Sequence, residues 1–323
     1  MTRRIAVVGA GVAGLSCAHR LAGQGHGVTV FDKGRSIGGR LATRQSGNFR
    51  FDHGAPYVHA EGAAFQSVLT QLIDARAATE WPSERKWHVT GLPGMNGLLT
   101  PLTEGLDLRM STTVRSLEKD DTGWTVTLDT DEKLQGFDAV AVCIPAAQAA
   151  TLTAPLGLGW AGLLADVAYA PCMTMMVAFE KPLPIADEQS IGAQLGRQQP
   201  SPIKKQLRNS AKPNRPTDFD HWVVHADVAW SEQHKDTDKP IIADLLLAEF
   251  RRANNLDEQT PAYLSGHRWR FSQTSMPLGQ SHLMAAQQRI GIAGDWCLGP
   301  CAEHAFESGV ALSGAILSSL DGA

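Results

Sequence analysis

The spacing of apolar residues changes character several times along this chain, and each change marks an expected element. Arg4–Val8 (RIAVV) is a short, almost unbroken apolar run, as in a strand buried on both faces. A glycine-rich turn follows, then helical spacing from Ala13 to Gln24 and a second strand, Val28 to Phe31, ending at Asp32. Lys33 to His59 is rich in Gly and Arg without a period, so it reads as irregular. Ala63 to Ala78 has the pattern of an amphipathic helix, Trp87 to Val89 that of a strand, and a tight turn leads into a helix at Asn96. From Leu108 to Pro145 come three strand patterns joined by turns at Asp120–Gly123 and Asp129–Glu132. The last, Ala139 to Ile144, is apolar on both faces and predicts a return to the central sheet.

The stretch from Ala146 to Met276 differs. It predicts strands at Met173–Glu180 and His221–Ala226 and a helix at Pro240–Asn254, with Gln198 to Pro216 as a loop or antiparallel connection. RIGIAGDW then restores a strand ending in Gly-Asp, and Glu303 to Leu320 closes the chain as a long helix. The expected fold is therefore α/β: a discontinuous Rossmann-like nucleotide-binding domain around an inserted α+β domain with a mixed or antiparallel sheet. The first takes residues 1–75, 95–150 and 285–323, and the second 76–94 and 151–284.

Composition narrows the function classes. At 323 residues, 43% hydrophobic and 19% charged, the chain can bury a substantial core. Its net charge is -4 with basic residues scattered in sequence, so no nucleic-acid partner is expected. No apolar stretch reaches the roughly 18 residues of a membrane span, and the N-terminal run carries the glycines of a nucleotide loop, unlike an export signal. Five cysteines in a long chain, with Cys17 and Cys143 in apolar runs, read as reduced thiols. Cys297 and Cys301 lack a second ligand pair, so no metal is expected. A cytoplasmic location follows from these readings.

Gly9, Gly11 and Gly14 form G-x-G-x-x-G between strand and helix. Gly9 permits the sharp turn, Gly11 lets the backbone approach a pyrophosphate, and Gly14 allows close helix–strand packing. The helix N-terminus then faces the phosphates, and Asp32 is placed to accept from a ribose hydroxyl. Nicotinamide dehydrogenases share these features. The discriminating motifs come later: Gly38-Gly39-Arg40, Asp52-His53-Gly54-Ala55, and Ala293-Gly294-Asp295 before the long helix.

In this order the motifs resemble the flavin-containing amine oxidase superfamily. GGRLATRQSGNFRFDHGAPYVHA, WVVHADVAWSEQH, HRWRFS and GDWCLGPCAEHAFESGVALSGAIL resemble the renalase family, particularly its bacterial members, over nearly the full length. That resemblance implies non-covalent FAD in the first domain, with Asp295 at its middle and the closing helix pointing at the flavin ring. The implied cofactor contacts are Gly9, Gly11, Val12, Ala13, Gly14, Asp32, Lys33, Gly39, Arg40 and Leu41, then His53, Gly54, Ala55, Pro56 and Val114, and finally Gly294, Asp295, Ser308, Gly309 and Val310. It further implies oxidation of 2- or 6-dihydro isomers of NAD(P)H to NAD(P)+, with dioxygen as acceptor and hydrogen peroxide as product.

Hydride transfer from a dihydropyridine removes no proton, so no strong base is required. The chain offers no nucleophile elbow, no metal triad and no clear counterpart of the lysine that many amine oxidases place near the flavin. Strand alternation in HWVVHADVAW puts Trp222, Val224 and Ala226 on one face and His221, Val223, His225 and Asp227 on the other. The pocket candidates are His225, Trp230, Tyr57 and Arg270, with Trp269 beside the last; Lys204 to Arg215 reads as a solvated basic loop in preference to one that meets substrate phosphates. An amine oxidase or carbon–carbon desaturase, a nicotinamide dehydrogenase and a non-catalytic flavin binder remain the competing readings.

Overall fold

The computed structural model describes residues 1–81, 87–189 and 201–321. Its central sheet has six strands in the order Leu283–Ala285, Ile290–Ile292, Ala139–Val142, Arg4–Val8, Gly27–Phe31 and Asp107–Arg109. All neighbours are parallel except the antiparallel edge strand Leu283–Ala285. Arg4–Val8 lies at the centre, and its four apolar residues are buried, as a strand covered on both faces must be. The first helix, Val12–Gly23, crosses the closing helix, Ala302–Asp321, on one side of this sheet. Ile290–Ile292 pairs with Ala139–Val142, so the chain's last strand returns beside one that precedes it by about half the sequence.

A second, five-stranded sheet is antiparallel throughout, in the order Glu188–Gln189, Ile203–Arg208, Asp220–Ala226, Ala168–Phe179 and Tyr263–Met276. Helix Lys239–Asn254 covers one face, packing Ile242, Leu246 and Phe250 against Met173, Met175, Val177, Trp222 and Val224. Register places Lys205, His225, Thr174 and His267 side by side on the other face.

Several elements depart from the pattern-based expectation. The helix expected to reach Ala78 stops at Asp74. Arg76 takes φ 57°, its N–H donates to Ile73, and the N–H of Ala77 donates to Leu72. This is a Schellman closure with Arg at the left-handed position, where glycine is usual, so its signal is hidden. Ala78–Trp81 then pairs with His88–Gly91. The segment at Asn96 is a 3-10 helix, Met95–Thr103, with Pro101 inside it. Within the expected irregular tract lie a turn at Gly39–Leu41 and a hairpin, Thr43–Ser46 with Phe49–Asp52. The region after Leu108 holds one more strand than expected: Val114–Asp120, Gly123–Leu128 and Lys133–Phe137 form a separate antiparallel sheet before Ala139–Val142. Of the loop expected at Gln198–Pro216, residues 198–200 lie outside the described residues, and Ile203–Arg208 is a strand. No helix among the described residues is long and apolar enough to cross a membrane.

Candidate active site

A cavity of ≈ 1780 Å³ runs from the glycine loop, past the end of the central sheet, to the His-bearing face of the second sheet. The three loop glycines serve different ends. Gly9 has φ 109°, and a Cβ there would lie 3.0 Å from the Cys143 carbonyl carbon. A Cβ on Gly14 would overlap the Gly9 carbonyl. The chain's own packing therefore demands both. Around Gly11 a Cβ would meet nothing within 4 Å, yet the residue lines the cavity. Its missing side chain keeps space open for a ligand. Helix Val12–Gly23 begins there with no side-chain cap, which leaves its first-turn amides for an anion.

Asp32 is engaged before any ligand arrives: Oδ2 accepts from Ala10 N (2.7 Å) and Oδ1 from Gly34 N (2.6 Å). It shapes the loop and also lines the cavity, with lone pairs to spare. Lys33, Gly39, Leu41 and Val114 line the same end. Arg40 and Asp295 form a two-pronged ion pair in the cavity wall, with Nη1 2.7 Å from Oδ2. Thr274 Oγ1 donates to Asp295 Oδ2 (2.9 Å), and Arg40 Nη1 also donates to the Ser272 carbonyl (3.1 Å). Ala55 N donates to the Arg40 carbonyl, and a Cβ on Gly54 would overlap that oxygen, so Arg40 and the Gly54–Pro56 wall are built as one unit.

At the far end, three imidazoles meet an indole. The His53 ring lies 4.7 Å from that of His267 and 5.1 Å from Trp269. The His53 carbonyl accepts from Trp269 Nε1 (2.9 Å) and lies 3.4 Å from His225 Nε2. Burial pushes His53 down to about 4, His225 to about 4 and His267 to about 3, with neighbouring cations adding to the effect. All three are uncharged at neutral pH. Tyr57 stacks on His88 at 3.6 Å, and its hydroxyl meets Lys205 Nζ and Glu188 Oε1.

His225 and Tyr57 thus line the cavity, but Trp230 does not. Asp227 caps the short helix Val228–Gln233 by accepting from Trp230 N, which turns Trp230 off the strand face to stack on His234. Arg270 borders the cavity while its guanidinium pairs outward with Asp236 (3.1 Å). Gly14, Ser308, Gly309 and Val310 lie behind the wall. Ser308 Oγ accepts from Gly294 N (3.0 Å), and a Cβ on Gly309 would overlap the Ala13 carbonyl.

The basic loop also needs correcting, because Lys212 and Arg215 are buried rather than solvated. Lys212 Nζ donates to Asp52 Oδ2 (3.0 Å) and to the Pro56 carbonyl (2.6 Å), and Arg215 Nη2 donates to the same Asp52 oxygen (2.8 Å). Sequence alternation had no means of showing that Asp52, next to His53, is the carboxylate that draws them inward.

Comparison with known proteins agrees with this arrangement. Residues 7–72 match the NAD(P)-binding Rossmann-like domain, and residues 73–323 match flavin containing amine oxidoreductase. Among curated proteins, a 4,4'-diapophytoene desaturase (4,4'-diaponeurosporene-forming) of Staphylococcus aureus (strain Newman) is 49% identical over 55 residues, covering 17% of this chain and 11% of that protein. The chain thus spans only about a tenth of the curated relatives it matches. Two solved structures share the fold. The Exiguobacterium sp. 255-15 protein described as a protoporphyrinogen oxidase has TM-score 0.74 at 13% identity, covering 99% of each chain. A putrescine oxidase redesigned in cofactor binding has TM-score 0.73 at 13% identity, covering 98% of this chain and 99% of its own. The open space at Gly11, the uncapped helix and the cation of Lys33 fit the pyrophosphate of FAD, the cofactor of this site. With more than half its length matched, the chain belongs to the flavin containing amine oxidoreductase family.

Proposed function

We propose that this flavoprotein oxidises 2- or 6-dihydro isomers of NAD(P)H to NAD(P)+. The reading rests on one observation. The cavity's far end is walled by uncharged His53, His225 and His267 with Trp269, and the only carboxylates among the described lining residues are Asp32 and Asp295. Both are already engaged, Asp32 by two backbone amides and Asp295 by Arg40 and Thr274. A protonated amine would meet no free counter-ion there. A dihydropyridine needs none, because its ring gives up a hydride without first losing a proton.

Held non-covalently by the glycine loop and the uncapped start of Val12–Gly23, FAD would supply the hydride acceptor, with dioxygen as the final oxidant and hydrogen peroxide as its product. The residues' part is positioning. Indole and imidazole faces offer stacking surfaces for a flat ring, and the half-buried wall from Gly54 to Tyr57 bounds one side of the cavity.

Anaerobic mixing tests the reading. Each dihydronicotinamide isomer should bleach the yellow flavin within the mixing experiment, and NAD(P)+ should be recovered. Bleaching by putrescine or another small amine, with none by either isomer, would sink it.

A further inference from the structure

The cavity is charged out of proportion to the chain. Although the net charge is -4, the described lining residues include ten lysines and arginines against two carboxylates. Lys33, Arg35, Arg40 and Arg115 belong to the end nearest the glycine loop, where one pyrophosphate is expected. The surplus lies at the other end. Of the cations there, Lys205 is paired with Glu188 (2.5 Å) and Arg270 with Asp236. Arg268 donates to the carbonyls of Asp236 and Thr237, and strand alternation turns it away from the face that carries His267 and Trp269. Arg50 donates to the Pro93 carbonyl (3.4 Å), and the hairpin register sets it on the face opposite Arg44. Arg44 and Lys204 remain, and neither has a carboxylate partner among the described residues. Lys204 reaches only Gln273 Oε1 (3.4 Å).

Both line the cavity that holds the imidazoles. Arg44 comes from the hairpin strand Thr43–Ser46, and Lys204 from Ile203–Arg208, next to Lys205, which stands in register with His225. Two unpaired cations of the same sign, held in one concave site beside neutral rings, repel each other unless an anion sits between them.

We propose that Arg44 and Lys204 form a second polyphosphate subsite, separate from the glycine loop, that takes the pyrophosphate of the dinucleotide substrate. The inference rests on the dihydronicotinamide reading for the identity of that substrate. It sets specificity: substrates keep the diphosphate bridge for binding, and the ring alone reacts.

The test uses the FAD-loaded enzyme and its Arg44→Gln and Lys204→Gln variants. Substrates are each dihydronicotinamide dinucleotide isomer and the matching dihydronicotinamide riboside, which has the same ring and no phosphate. ADP and inorganic pyrophosphate serve as binding probes, followed by perturbation of the flavin spectrum and by calorimetry. Each variant should raise KM for the dinucleotide about tenfold, the loss of one charge-assisted contact. It should leave kcat and the riboside KM unchanged and weaken ADP binding to a similar degree. In the unaltered enzyme, added salt should raise KM for the dinucleotide and not for the riboside, a readout that survives if a variant folds poorly. Dinucleotide KM values insensitive to both substitutions and to salt, or a riboside KM that rises equally, would overturn the subsite. The two readings separate cleanly. If no isomer bleaches the flavin but ADP binding falls in the Lys204→Gln protein, the subsite stands and the dihydronicotinamide reading fails. If the isomers bleach it with unaltered KM, the subsite alone fails.

Discussion

Asp52 holds two cations whose side chains are 1% and 0% exposed, and its own side chain is fully buried. Burial opposes its ionisation, but Lys212 and Arg215 outweigh that and keep its carboxyl well below the usual range. Oδ1 is satisfied as well, by Thr43 Oγ1 (2.8 Å) and Met95 N (3.0 Å). Asp52→Asn would strand two buried cations, a loss of about 3–5 kcal/mol, measurable as a lowered urea midpoint. The imidazoles behave oppositely. An unfolded His titrates near 6.5, whereas burial holds His53 and His225 near 4 and His267 near 3. As pH falls below about 6.5, the unfolded chain takes up protons that the folded chain refuses until about 4, so stability drops through that window. Urea midpoints measured from neutral pH downward should show the fall, and His267→Gln should make it shallower. Flavin reduction by substrate should show no inflection near 6.5.

Two long helices meet where their backbones come closest. Gly309 of Ala302–Asp321 sits on Ala13 of Val12–Gly23, with no room for a methyl group. Gly309→Ala should force these helices apart at a cost of about 1–3 kcal/mol. Because Ala13 is also in the phosphate loop, FAD occupancy, read as the flavin-to-protein absorbance ratio, should fall with it. A second link joins the closing helix to Ala63–Asp74, whose N-terminal Gly62 has no side chain to cap it. Glu303 instead fixes the entry to the helix from 241 residues away, accepting from Gly62 N and Glu61 N at 2.8 Å each and placing a carboxylate by the helix N-terminus. The same helix ends on Arg76 in the left-handed position. With Arg where glycine is usual, the C-terminal boundary carries no sequence signal, and the apolar period alone runs on to Ala78, four residues past Asp74.

At the scale of the molecule, a chain of net charge -4 sets ten of its 29 lysines and arginines around one cavity that has two carboxylates among its described lining residues. Filling that cavity with the anionic cofactor should stabilise the fold through mass action, by about 4 kcal/mol at a thousandfold excess over the dissociation constant. Apoprotein should therefore melt at a clearly lower temperature than the FAD-loaded form; equal melting temperatures would contradict this arrangement of charge. The Rossmann-like fold of the nucleotide half is legible in the sequence. Gly9, Gly11, Gly14 and Asp32 lie within one strand–helix–strand unit, and their roles depend on neighbours a few residues away, so local spacing is enough to read them. Gly294-Asp295 at the end of an apolar strand was legible for the same reason. The far end of the cavity was not. Alternation told which face of Asp220–Ala226 carries His225, but not that Lys205, Thr174 and His267 stand beside it in register. Nor could it pair Asp52 with Lys212 across 160 residues or Arg40 with Asp295 across 255. A period of two names a face and never a partner. Partners are chosen when distant strands compete to bury the same surface, and that choice buries Lys212 and Arg215 on Asp52 and sets Lys204 and Lys205 in the cavity wall, in a stretch whose composition alone reads as solvated.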